Sequence, residues 1–175
     1  MVMNTRSFFF FSMATAGLIV GCSSAGKYAG KPYTDSEYKT GMQMIPGKVY
    51  CAYYDLGGEG VAYHDNTDKN QGSGTYNPLN GTYLHAFRVD EAVDISYTKD
   101  NDIDNSQYNT VDPPMNVLYV GWTAPGEWTK YTVKVEKTGT YRVGLMYTSS
   151  RGGKISISVN DKDVTGPLDV ISSFN

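Results

Sequence analysis

Three successive runs toward the end of the chain alternate with a period of two, and no stretch carries a sustained helical period. That combination limits the fold more than any other feature. Tyr131, Val133 and Val135 fall on one face while Thr132 and Lys134 fall on the other. Tyr141, Val143, Leu145 and Tyr147 then alternate with Arg142, Gly144 and Met146, and Ile155, Ile157 and Val159 alternate with Ser156 and Ser158. Successive side chains of a strand point to opposite sides, so each run reads as a strand with one apolar face to bury. Thr138 and Gly139 punctuate the first gap and Arg151, Gly152 and Gly153 the second, which predicts a meander. Such strands close by packing face to face, so the expected fold is all-β, an antiparallel β-sandwich. The 15 tyrosines and 19 glycines suit many short strands joined by tight turns.

Earlier elements follow the same logic. Residues 49–55 read as a first strand stopped by Gly57 and Gly58, and residues 61–64 as the next. Residues 83–87 and 93–97 read as short strands separated by Arg88, Asp90 and Glu91. Polar loops span residues 65–81 and 98–116, and loops of that length in a compact domain are usually functional or disordered. In residues 119–135 a strand reaches Val120 and Gly121, Trp122 stands at a corner, Pro125 and Gly126 turn the chain, and Trp128 opens a second strand. Trp128, leading an alternating run, is expected to pack at the edge of the core. Trp122, at a loop corner, is expected to show a flat apolar face to solvent; the alternative is a core residue at a strand end.

The N-terminal end speaks to destination. Arg6 precedes an apolar stretch, residues 8–20, that is too short to span a bilayer comfortably and reads as a secretory signal. The run Ile19, Val20, Gly21, Cys22 looks like the lipobox of a bacterial lipoprotein, cut before Cys22 and acylated there; an ordinary secretory signal with a nearby Cys is the alternative. Cys51 is then the one remaining thiol and reads as a small buried hydrophobe, with a Cys22–Cys51 disulfide as the alternative. The expected organisation is a signal peptide over residues 1–21, a lipidated Cys and flexible tether over 22–46, with docking of its tyrosines and methionines on the domain as the alternative, and one β domain over 47–175. Such a chain is secreted and held by its lipid at the outer membrane or cell surface. A net charge of −3 and a pI near 5.3 give no reason to expect a nucleic-acid partner.

Four segments carry a resemblance: YDLGGEGVAYHD at residues 54–65, VDI at 93–95, VGWTAPGEWTKYTV at 120–133 and TGTYRVGL at 138–145. Together they resemble family 6 carbohydrate-binding modules over about residues 47–175. The resemblance implies a jelly-roll β-sandwich that binds β-linked or related polysaccharides and is commonly attached to glycoside hydrolases. Its cleft lies in loops joining the two sheets, where aromatic rings hold a sugar and polar residues fix its hydroxyls. Trp122 stands where the family places a stacking aromatic after its Val-Gly pair. Tyr63, His64 and Asp65 stand near the family's polar contact to sugar hydroxyls. Ala52 stands where family members often carry a Glu that helps hold a structural calcium, so the expectation is no cofactor, with a structural calcium as the alternative. The family's last strands, second stacking aromatic and terminal Asn have no counterpart before Asn175, so the sandwich is expected to lack its last strands.

The residues also stand on their own chemistry. A pyranose offers an apolar C–H face and a rim of hydroxyls, so Trp122 suits the face and His64 or Asp65 the rim. The alternatives are that Tyr63 packs in the core and His64 caps a turn. His64 and Asp65, adjacent in a strand, point to opposite faces and make no acid–base dyad. Asp100, Asp102 and Asp104 are spaced like a calcium loop, but Asn105 and Val111 occupy the places of its Gly and Glu, so the run reads as a solvated loop. Gly57, Gly58 and Gly60 read as turn residues. Glu59, Asp65, Glu91, Asp94 and Glu127 show no spacing that singles out a catalytic pair. Three functions follow: a membrane-anchored polysaccharide-binding module without catalysis, the front part of a glycoside hydrolase, and a structural lipoprotein whose sandwich binds another protein.

Overall fold

The computed structural model describes residues 28–72, 82–99 and 114–173, together with the backbone of one short strand, β1 (Arg6–Phe8). The described chain is mostly β and broken into short pieces. In order these are β2 (Gln43–Ile45), β3 (Lys48–Tyr50), a 3-10 turn (Cys51–Tyr53), β4 (Tyr63–His64), helix α1 (Tyr83–Ala86), β5 (Ile95–Tyr97) and β6 (Leu118–Val120). Then come β7 (Trp128–Thr129), β8 (Val133–Val135), β9 (Gly144–Met146), β10 (Gly153–Ile155), β11 (Ser158–Val159), β12 (Lys162–Asp163) and β13 (Leu168–Val170). The all-β expectation stands at this level, as many small sheets with nearly no helix.

Pairing departs from the expected meander. β8 pairs in parallel with β2, Gln43 opposite Val133, and not with the strand that follows it. β10 pairs with β13 and β11 with β12, while β3 and β9 both pair antiparallel with β1. Near the centre, β5 runs antiparallel to β6 with Ile95 opposite Val120, and β4 runs antiparallel to β7 with Tyr63 opposite Thr129. Within residues 83–87, expected as a strand, Tyr83–Ala86 form one helical turn, α1, and Phe87 is extended. There Tyr83 and Phe87, four apart, meet edge to face at 5.4 Å, and the amides of His85 and Ala86 both reach Thr82 O at 3.1 Å.

The core lies between residues 33 and 120. Tyr54, Ala52, Ala62 and Ile95 are fully buried there, and beyond Val120 the buried hydrophobic set among the described residues holds Val170 alone. In β10 and the residues after it, Ile155, Ile157 and Val159 are half-buried while Ser156 and Ser158 are exposed, so the alternation is realised without deep burial. Arg88 pins the core from inside: its guanidinium donates to the carbonyls of Tyr54 and Asp55 and to both oxygens of Glu91. Among the described residues no helix is long and apolar enough to cross a membrane.

Residues 28–45, expected as part of a flexible tether, are instead packed against the body. Lys31 and Leu56 exchange backbone hydrogen bonds at 2.8 and 2.7 Å, and Tyr33 is buried within the core cluster. Tyr38 stacks on Tyr53 with ring centroids 3.9 Å apart. Asp35 organises this segment by accepting from the hydroxyls of Tyr33 and Tyr83 and from the amides of Glu37 and Tyr38. Burial raises the Asp35 carboxyl, but those hydrogen bonds outweigh it and hold the group below the ordinary aspartate value. A carboxyl depressed on folding stabilises above its unfolded value and loses that contribution as pH falls through its folded value. Protease cleavage within residues 28–42 is therefore expected to speed up as pH falls from about 5 to about 3, by less than about 1 kcal/mol of local stability because the group is partly solvated. A cleavage rate flat across that window would remove Asp35 as the clasp.

Candidate functional site

The chain turns sharply as it leaves β6. Gly121 N donates to Asp94 O at 2.9 Å, and Trp122 follows with φ +48, a left-handed conformation that a bulky side chain adopts only under the constraint of its surroundings. The indole is half-buried. Gly72 makes room for it: a Cβ at that position would lie 2.8 Å from Trp122 Cζ3 and 2.3 Å from Ile95 O. Only a residue without a side chain lets this loop close on both the indole and β5.

The turn after Trp122 is held by its own carboxylate. Glu127 Oε2 accepts from Ala124 N at 2.7 Å, and Oε1 accepts from Asn66 N at 3.3 Å. Asn66 Nδ2 donates in turn to Pro125 O at 3.1 Å. Loop residues 65–72 are thereby tied to the corner at 122–127. Asp65 shapes the same loop, its Oδ1 accepting from Thr67 N at 2.9 Å and Thr67 Oγ1 at 2.8 Å, while its Oδ2 takes no hydrogen bond among the described residues. Asp94 is buried beneath, with Oδ1 accepting from Gln71 N at 2.7 Å.

Burial pushes both Asp94 and Glu127 above the ordinary carboxylate values, against the pull of the amides they accept from. The charge of Asp65 adds to the rise at both, and that of Asp94 adds to the rise at Glu127. The corner that carries Trp122 is thus tied by hydrogen bonds to a loop rich in fixed carboxylates. Among the described residues, no group of three or more His, Cys, Asp or Glu side chains is placed to hold a metal ion.

The expected site residues are distributed unevenly. Asp65 joins Trp122 at the corner through Asn66 and Glu127. His64 sits one residue away in β4, opposite Trp128, with Nδ1 against Glu59 Oε1 and its ring 6.5 Å from the Trp128 ring. It caps no turn; that task falls to Asp65. Tyr63 belongs to the core instead of the site: it is buried, packs edge to face on Tyr54 at 5.4 Å, and its hydroxyl accepts from Ala92 N at 3.3 Å. The alternation that turns His64 outward turns Tyr63 inward.

Trp128, expected to pack, is 37% exposed, with Lys130 Nζ 5.4 Å from its ring. β7 is two residues long and, among the described residues, pairs only with β4. Ala52 and Cys51 are buried in the 3-10 turn, which leaves Ala52 a packing role. Cys22 and the run Asp100, Asp102, Asp104 lie outside the described residues.

Asn66, Asp94 and Glu127 were not singled out as a group by sequence reasoning. The legible signal was Glu127 following a Pro-Gly turn, where a carboxylate can reach back to the amide three residues earlier. No family model, curated protein or solved structure matches the chain.

Proposed function

We propose that the chain is a non-catalytic carbohydrate-binding module, secreted and anchored through an acylated Cys22, that holds a β-linked polysaccharide at the Trp122 corner; the cut before Cys22 would take β1 away from β3 and β9 in the mature chain. The observation that carries this reading is the half-buried indole of Trp122 in a left-handed corner, beside a loop whose Asp65, Asn66 and Glu127 are fixed by hydrogen bonds. A ring of this kind covers the apolar face of a sugar, and acceptors already ordered lose little entropy on meeting its hydroxyls. Two of the segments that resemble family 6 modules support it further, because residues 54–65 and 120–133 meet in space as β4 and β7. In this proposal the small sheets belong to a jelly-roll β-sandwich, and His64 and Trp128 extend the contact along the polymer.

The test is retention of the chain, kept in detergent, on a panel of insoluble and soluble polysaccharides. Retention on a β-glycan, competed by soluble oligosaccharides of the same linkage, is the expected result. A folded chain that passes through every member of the panel would overturn the proposal and turn attention to protein partners.

A further inference from the structure

At the opposite end of β6 from Trp122 lies a cleft of about 300 Å³, lined by Tyr38, Tyr50, Tyr53 and Leu84 together with residues 116–118. One wall is a cluster of phenol rings. Tyr38 stacks on Tyr53 at 3.9 Å with planes 15° apart, Tyr33 flanks the pair at 5.7 Å from Tyr53 and 6.1 Å from Tyr38, and Tyr50 meets Tyr53 edge-on at 6.0 Å. The wall is built rigidly. Gln43, 5% exposed, accepts from Tyr50 N at 2.7 Å and donates to the carbonyls of Tyr50 and Tyr53 at 3.3 and 3.4 Å. The rim is fixed as well: Asn116, at φ +58, donates its amide to Thr98 O at 2.8 Å.

The lining chooses its occupant. Among the described residues the lining has no charged side chain, so a carboxylate or ammonium entering it would lose hydration without a counter-charge from them. Leu84, Val117 and Leu118 offer nothing to a hydroxyl, so a polyhydroxylated ring would have only the tyrosine hydroxyls and Asn116 to pair its rim, and every hydroxyl left buried and unpaired weakens it. The volume lies at the small end of ligand pockets and suits a single ring. A flat apolar ring, by contrast, can stack on the Tyr38–Tyr53 pair.

We infer that this cleft binds an uncharged aromatic small molecule, its ring stacked on the Tyr38–Tyr53 pair and one polar substituent at the Asn116 rim. The inference stands apart from the glycan proposal and uses none of its residues.

The experiment is titration of the full chain in detergent with p-cresol, with benzoate and methyl β-glucoside as charged and polyhydroxylated comparisons, followed by ligand-observed NMR. Saturable p-cresol binding is expected, with the two comparisons at least about tenfold weaker. Tyr38→Ala is expected to weaken p-cresol about tenfold by removing the stacking face, and Trp122→Ala to leave it unchanged. Asn116→Gly keeps the left-handed backbone and removes the carboxamide, with an expected loss of about threefold; it serves if Tyr38→Ala does not fold. The inference fails if p-cresol does not saturate the folded chain, if its affinity is the same in a folded Tyr38→Ala or in Asn116→Gly, or if methyl β-glucoside displaces it.

Discussion

Replacing Arg88 with alanine is expected to destabilise the domain by about 3–5 kcal/mol, the range for breaking one partner out of a buried ionic network. The side chain is 3% exposed and its Glu91 partner 25%. Its Nε and Nη2 donate to the two Glu91 oxygens at 2.8 Å each, Nη2 also reaches Asp55 O at 3.0 Å, and Nη1 donates to Tyr54 O. The same guanidinium lies over the Tyr54 ring at 3.4 Å and the Tyr33 ring at 4.7 Å. Truncation leaves two buried carbonyls without their donor and Glu91 with the Tyr54 hydroxyl in place of a guanidinium, in a domain whose total stability is of the order of 5–15 kcal/mol. Lysine is no substitute, because a single ammonium cannot serve a carboxylate and two carbonyls with the geometry of a planar fork. Arg88→Lys is expected to fall between the parent and Arg88→Ala in urea midpoint. An alanine variant within about 1 kcal/mol of the parent would show that the network is dispensable.

The largest functional effect is expected at Trp122. Trp122→Ala should weaken polysaccharide binding by about 30-fold or more, the scale of an aromatic hot spot, while the domain stays folded. The indole lies at a corner outside the core cluster, so its loss removes a binding face without hollowing the interior. Trp122→Phe, which keeps a ring, is expected to retain part of the affinity. Gly72→Ala offers an indirect version of the same test, since its methyl would press on Trp122 Cζ3 and force the indole or the loop to move. Affinity unchanged in Trp122→Ala, on a glycan the parent binds, would move the stacking role to the exposed ring of Trp128.

What could be read in advance was whatever is written locally. The Pro125–Gly126 turn, the strand opening at Trp128 and the in-and-out exposure of residues 155–159 follow from dihedral preference and period two, both carried by neighbours in sequence. Partners were not legible in the same way. The parallel pairing of Gln43–Ile45 with Val133–Val135 joins segments far apart in the chain, and a strand's own pattern names its buried face without naming its neighbour. The helical turn at Tyr83–Ala86 is too short for either period to show.

The docking of residues 28–45 depends on Tyr33 and Tyr38 both finding the Tyr53 ring, and ring stacking between distant residues has no periodic signature. The candidate site repeats the lesson. Trp122 and Asp65 were legible as residue types, but Asp94 and Glu127 reach them through the fold, and the contrast between the two tryptophans was set by which indole the loop at Gly72 happens to touch.

The packing of the chain from Tyr28 onward has a bearing on reach. Six residue steps separate Cys22 from Tyr28. Fully stretched, such a leash spans about 20 Å. Under the acylation proposed for Cys22, the body would ride within a few nanometres of the lipid headgroups, sweeping a thin shell of space above them. Polymers would be caught there only where they already press against the membrane, and a longer leash inserted before Tyr28 would widen the shell without altering a single contact in the binding corner.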